Sequence, residues 1–346
     1  MTFSEAIKGG FSLVYNRWQL IAVQVGMMLF NCAGFFIVVG IPLGIAFIIF
    51  GLDLTGLAET RDVLGIFKNP GELFSKYFGL ILIVITSLLF YILAATTLGL
   101  YVFGGSAGVI GRTLLEPSSK FSMRMFFTEA KKMFFPLLWF SLLIGLIFIA
   151  IAFVLGLFGG GIAAVVSAAK SQDSTLALFL GIFFSLILIL VALGIIFTAL
   201  AVAMYGVAVL FFKHEGAIKS FKEAVKFLWN NQYAFWLYIL LFLGYILASF
   251  MLMLIVYPFK LIPIAGAILS FPIQILSYVV QSYIGLVMIA VLFIYYYEAE
   301  VRKEETPPEA QGETIGENST SPEDISGLQT PSQVEPLPEK DGPEQA

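Results

Sequence analysis

Side chains able to do chemistry fall into three groups in this 346-residue chain. The first is Lys8, Lys132 and Lys226, each closing a Phe-x-Glu-Ala-x-Lys hexapeptide at residues 3–8, 127–132 and 221–226. Lysines held at a membrane surface attract anionic lipid phosphates, at about 1 kcal/mol each. A ring of three such lysines is one reading. The other is structural, with Phe and Ala packed down and Glu and Lys forming solvated i,i+3 pairs that contribute about 0.2–0.5 kcal/mol. The second group is Gln274, Ser277, Gln281 and Ser282, polar and uncharged, at helical spacing in the last apolar stretch. They could line a path for a neutral substrate, or bond to neighbouring helices as polar residues in membrane spans commonly do. Gln24, Asn31, Thr86, Ser87, Thr96 and Thr97 read in the second way. The third group is a single histidine, His214, between Lys213 and Glu215. Alone, it lacks the partners that activate a nucleophile or complete a metal site, and it reads as a polar residue at headgroup level.

What is missing narrows the chemistry further. No Asp, Glu, Lys, Arg or His occurs in 18–50, 77–111, 133–169, 174–212, 227–259 or 261–297. Ionisable residues at bilayer depth mark proton relays and ion pathways, and an intramembrane metalloprotease needs several metal ligands there. Both classes are disfavoured, and neither an enzymatic activity nor a cofactor or metal is expected.

The elements that carry these residues follow from composition. Hydrophobic residues make up 59% of the chain and charged ones 12%, about half the charge of a soluble domain. An uncharged apolar stretch of about 20 residues crosses roughly 30 Å of hydrocarbon. Residues 18–40, 77–111, 136–158, 175–212 and 233–257 satisfy this, and a sixth stretch ends at Tyr295-Tyr296-Tyr297. Before the first, third and fifth spans stands a short amphipathic segment. Phe3, Ala6, Ile7, Gly10, Phe11 and Val14 share one helical face, as do Met123, Phe126, Phe127, Ala130 and Phe134, and Ile218, Phe221, Val225 and Leu228. Trp18, Trp229 and Trp236 mark water–lipid boundaries. The expected fold is an all-α integral membrane protein of six transmembrane helices in three tandem parallel repeats, about 1–111, 112–212 and 213–297. Each repeat is preceded by a cytoplasmic-interface amphipathic helix.

Several breaks are expected inside this plan. Pro42 should kink or end the first helix, leaving 43–50 as a kinked extension or an interfacial piece. A short surface helix is expected in 51–76, broken at Asn69-Pro70-Gly71, and a kink at Gly104-Gly105. Pro117-Ser118-Ser119 reads as a turn and helix start. Gly159-Gly160-Gly161 should end the third span, with a small interfacial helix over 162–174. Pro258, Pro263 and Pro272 predict a membrane-hugging loop. Residues 298–346 carry 13 acids and 7 prolines without an aromatic, a composition that predicts a disordered acidic cytoplasmic tail.

Charge sets the orientation. Six spans place 14 Lys or Arg on the side of the termini and 5 on the other, so both termini are expected in the cytoplasm. One cysteine, Cys32, excludes an internal disulfide. The residues before it lack the small side chains of a lipoprotein signal, and the first apolar stretch reads as a retained anchor.

The hexapeptide before a span, with Tyr15-Asn16-Arg17-Trp18 or Trp229-Asn230-Asn231 at the span entry, resembles a broad group of uncharacterised bacterial multi-pass proteins. That group is similar to the membrane domain attached to some glycerophosphoryl diester phosphodiesterases. The resemblance covers about residues 1–297 and implies a protein of the bacterial cytoplasmic (inner) membrane. It does not imply phosphodiesterase activity, because the catalytic barrel has no counterpart here. The leading expectation is a non-enzymatic lipid-contacting or assembly module, with membrane lipids as partners and a soluble or membrane protein recruited through the tail. Nucleic acid is not expected as a partner. The alternative is a transporter or export component for a neutral or lipidic substrate.

Overall fold

The computed structural model describes residues 2–58, 70–171, 173–260 and 263–302, with side chains omitted for 50–74, 76 and 259–270. Every regular element among the described residues is helical. In chain order these are α1 (Phe3–Asn16), α2 (Gln19–Phe35), a π turn (Phe36–Gly40), α3 (Ile41–Ala58), α4 (Pro70–Leu115) and α5 (Met123–Lys170). They are followed by α6 (Ser174–Lys213), α7 (Ala217–Asn230), α8 (Gln232–Lys260), α9 (Pro263–Tyr296) and a closing π turn (Tyr297–Val301). Among the described residues, six helical stretches are long and apolar enough to cross a membrane: Gln19–Ile49, Tyr77–Leu115, Met123–Lys170, Ser174–Lys213, Gln232–Pro258 and Phe271–Val301.

These helices are more continuous than the sequence predicts. Pro42 does not end the first span: the π turn Phe36–Gly40 leads directly into α3, and Ile41 N–H bonds the Phe36 carbonyl. A π turn shifts the backbone bonding by one residue, which accommodates a proline that has no N–H to give. Residues 43–50 therefore extend the first span's helix. Gly159-Gly160-Gly161 lies inside the 48-residue α5, so neither the break nor a separate helix over 162–174 exists. Pro258 lies within α8, and Pro272 within α9, whose first residue is Pro263. The expected loop there is two helix ends. Pro70 opens α4, a position where its missing N–H costs nothing. The common cause is the solvent. With no water to satisfy a freed backbone group, a helix in lipid keeps its hydrogen bonds through residues that would end it in water.

The middle hexapeptide is also different. It forms the first turns of α5 rather than a separate short helix, and Pro136 lies within that helix. At the other two copies the chain does break, at Arg17 after Asn16 and at Asn231 after Asn230. No such polar residue stands between Lys132 and Pro136, so nothing interrupts the helix there. Its start is set by Ser122, whose hydroxyl accepts from Met125 N–H at 3.1 Å, three residues after the expected Ser119. The acidic tail also begins later than 298, since the closing π turn continues α9 and Arg302 meets Glu298 at 2.9 Å. The remainder of the tail and residues 59–69 lie outside the described residues, while 51–58 and 70–76, where a short surface helix was expected, belong to α3 and α4.

The packed core sits at one end of the bundle. Its centre is the C-terminal ends of α4, α6 and α9, where Ile110, Ala208 and Leu292 are fully buried. Phe211 joins them, its ring centroid 6.1 Å from Phe293 and its edge over Gly111, where a Cβ would come within 2.3 Å. Each hexapeptide segment lies against one of these ends: α1 on α9, the start of α5 on α4, and α7 on α6. The hexapeptide alanines Ala6, Ala130 and Ala224 are all completely buried. Close approach there depends on missing side chains, because a Cβ on Gly10 would meet Val291 at 2.4 Å and one on Gly105 would meet Phe126 at 2.7 Å. The Gly104-Gly105 pair is thus a packing surface inside a continuous α4. Away from this end the helices expose their apolar side chains, as Leu89, Phe153, Phe179 and Leu247 show. A bilayer is the environment in which such a surface costs nothing.

Candidate functional site

The polar residues of the packed end form a chain of pairs between consecutive elements. Arg112, at the end of α4, meets Glu129 of α5 at 3.2 Å and Glu116 at 3.4 Å. Lys213, at the end of α6, meets Glu223 of α7 at 3.5 Å. Glu5 instead turns back on its own helix: it accepts from Thr2 N–H at 2.8 Å while Thr2 Oγ1 accepts from Glu5 N–H, a reciprocal cap. The backbone bond from Thr2 holds the Glu5 carboxyl below its usual range. The hexapeptide glutamates therefore do not serve mainly as i,i+3 partners of their lysines; two of the three tie a segment to the preceding span. Glu129 is buried, a position that the solvated reading does not anticipate.

All three hexapeptide lysines are exposed. Lys132 Nζ lies 3.3 Å from His214 Nε2, where the ammonium can donate to a neutral ring. His214 closes α6 in the left-handed region, φ 51°. Burial, and then the Lys132 charge, hold its pKa below the ordinary imidazole value. The guanidinium of Arg17 donates to the Ser119 carbonyl, and Phe3 packs against Tyr295 at 6.3 Å. The N-terminal helix and the end of the last span therefore share one end of the bundle, called the basic end below.

Two pockets bear on ligand binding. The first, about 410 Å³, lies between α8 and α9. It brings together Gln274, Ser277 and Gln281 with Ser249 and Tyr257, while Ser282 is not among its walls. Three of the four polar-path candidates therefore share one surface, with two α8 residues that sequence reading passed over. Other polar span residues bond between or along helices. Gln24 Nε2 donates to Ser106 Oγ at 3.1 Å and Tyr91 OH to the Asn31 carbonyl at 3.2 Å, whereas Thr97 bonds back to Leu93 in its own helix.

The second pocket is larger, about 730 Å³, and is walled by four helices. α5 contributes Ile144, Ile147 and Ile151, and α6 contributes residues from Gly194 to Val202. α7 contributes Phe221, Val225, Leu228 and Trp229, and α8 contributes Gln232, Phe235 and Trp236. The expected apolar face of α7, Phe221, Val225 and Leu228, lines this pocket, and Phe221 and Leu228 also pack against the core. The fully buried side of α7 is Ser220, Ala224 and Phe227. The sequence signal for the buried side was the small-x-x-x-small spacing of Ser220 and Ala224, repeated by Ala6 and Gly10 and by Gly104 and Gly108. No known protein family, curated protein or solved structure matches the chain.

Proposed function

We propose that this chain is a lipid-contacting module of a bacterial cytoplasmic membrane, without enzymatic activity, built as three tandem parallel units with both termini in the cytoplasm. The observation that carries this reading is the division of the bundle. One end is packed and basic, with Lys8, Lys132 and Lys226 exposed around it, while the rest presents apolar side chains outward. A basic surface beside splayed apolar helices matches an anionic headgroup layer above acyl chains. The repeat is supported by the burial of Ala6, Ala130 and Ala224 against the ends of α9, α4 and α6 in turn. It is supported also by the parallel pairs Arg112–Glu129 and Lys213–Glu223. The resemblance to the membrane domain of some glycerophosphoryl diester phosphodiesterases belongs to the same proposal, as does a partner-recruiting role for the acidic tail.

The test is reconstitution into bilayers with and without anionic lipid. Thermal stability should rise with anionic content, and the Lys8/Lys132/Lys226→Ser variant should lose that dependence. Equal stability in neutral and anionic bilayers would reject the reading. The Gln274, Ser277 and Gln281 surface favours a second reading, a transporter of a neutral substrate. A Gln274→Leu/Gln281→Leu variant with unaltered uptake or export in vesicles would remove it.

A further inference from the structure

We infer that the pocket between α5, α6, α7 and α8 binds one anionic phospholipid from the leaflet at the basic end. One acyl chain lies between α5 and α6, and the phosphate lies against Lys222 and Lys226. This rests on the lipid-contacting reading and deepens it to one ligand class at one place. The walls are graded. Furthest from the basic end are Ile147, Ile151 and Ile195, and Gly194, where an added Cβ would meet nothing within 4 Å. A cavity lined this way gives water too few partners but suits hydrocarbon. At the other extreme stand Gln232, Trp229 and Trp236, of which Trp229 is 83% and Trp236 60% exposed. Amphipathic rings of this kind gather where headgroups meet chains.

Charge at this mouth has one sign. Lys222, Val225 and Trp229 follow i, i+3, i+7 spacing, which puts Lys222 on the side of α7 that forms the pocket wall. Lys226 precedes Trp229 by three residues, the spacing of neighbours on a helix surface, so the two lysines stand beside the mouth rather than among the pocket's walls. The only acid of α7, Glu223, is engaged with Lys213. A neutral apolar ligand would leave these cations without purpose, and a soluble anion would leave the isoleucine wall without one. An amphiphile with an anionic head matches both ends.

The test uses the full chain in bilayers containing phosphatidylglycerol with a photoreactive group near the end of one acyl chain. Cross-links should concentrate on 144–151 and 194–202, and native mass spectrometry should retain one phosphatidylglycerol per chain. Gly194→Phe fills the cavity from a position with open space and should abolish that adduct, while Gly194→Ala keeps it. Lys222→Ser/Lys226→Ser should weaken it roughly 30-fold, two lysine–phosphate contacts converted to affinity, and erase the preference over phosphatidylcholine. Cross-links spread evenly over all six spans, or an unchanged adduct in Gly194→Phe, would overturn the site. A Lys8→Ser/Lys132→Ser variant, remote from the cavity, separates the two claims. If it alone loses its anionic-lipid dependence, the surface reading stands and the site falls. If the cavity variants alone lose the adduct, the site stands without the surface ring.

Discussion

Two glycines of α6 should respond in opposite ways to the same substitution. Gly206 lies under the Phe140 ring of α5, and a Cβ there would come within 2.2 Å of Cζ and 2.9 Å of Cε2. Phe140 is only 2% exposed, so the ring has no free volume to move into, and its packing is close to that of a crystal. Overpacking of this kind costs about 1–3 kcal/mol. Against that, alanine in a helix is better than glycine by about 0.5–1 kcal/mol. Gly194, three turns earlier, gains the helix preference without a clash. Gly206→Ala should therefore be less stable than Gly194→Ala by about 1–3 kcal/mol, a difference of roughly 2–10 °C in melting temperature for a domain of this size. Thermal unfolding in one detergent, with both variants and the parent side by side, measures it. Phe140→Leu in the Gly206→Ala background should recover part of the loss, a non-additivity expected of residues in contact. Equal shifts at the two glycines would refute the packing of α5 on α6 at the basic end.

Other consequences can be checked separately. Tyr205 is fully buried and donates its hydroxyl to the Ala234 carbonyl at 3.0 Å, so Tyr205→Phe should cost about 1 kcal/mol in the same unfolding assay. His214 has a lowered pKa in the folded chain, so the unfolded chain binds the extra proton more readily. Its contribution should be intact above the ordinary imidazole pKa near 6.5 and should decline as pH falls below that value. A stability–pH profile should be flatter in that window for His214→Gln. Cys32, the only cysteine, is exposed on α2 within the first span. A maleimide, impermeant or lipid-soluble, should fail to label it in intact bilayers, where a thiol facing hydrocarbon does not ionise, and should succeed after denaturation in water.

The sequence carried the spans well because a run of uncharged apolar residues has few alternatives to a membrane helix. It overstated the breaks. Pro42, Gly159-Gly160-Gly161, Pro258 and Pro272 all look like stops by rules learned in water. In lipid the cost of freeing backbone groups outweighs local preference, and the helices continue. Hydrophobic periodicity showed only part of the contact surface. On α7 it picked out Phe221, Val225 and Leu228, which line the pocket, whereas Ser220 and Ala224, buried beside Phe227, are too small to register in an apolar stripe. The polar cluster on the last span was legible as a spacing, but its partners Ser249 and Tyr257 lie on α8, and no local pattern joins them to it. The large pocket was legible only in part, through Phe221, Val225, Leu228, Trp229 and Trp236, because its other walls come chiefly from α5 and α6, distant in sequence.

The central claim is that six crossings place the packed, basic end in the cytoplasm. Single cysteines at Lys8, Lys132 and Lys226, and at Lys76 and Lys170, in a Cys32→Ser background, test it through labelling by an impermeant maleimide on intact cells and after permeabilisation. The account predicts that Lys76→Cys and Lys170→Cys react in intact cells, and that the other three react only once the membrane is opened. Labelling of Lys8→Cys, Lys132→Cys or Lys226→Cys from outside intact cells would contradict it.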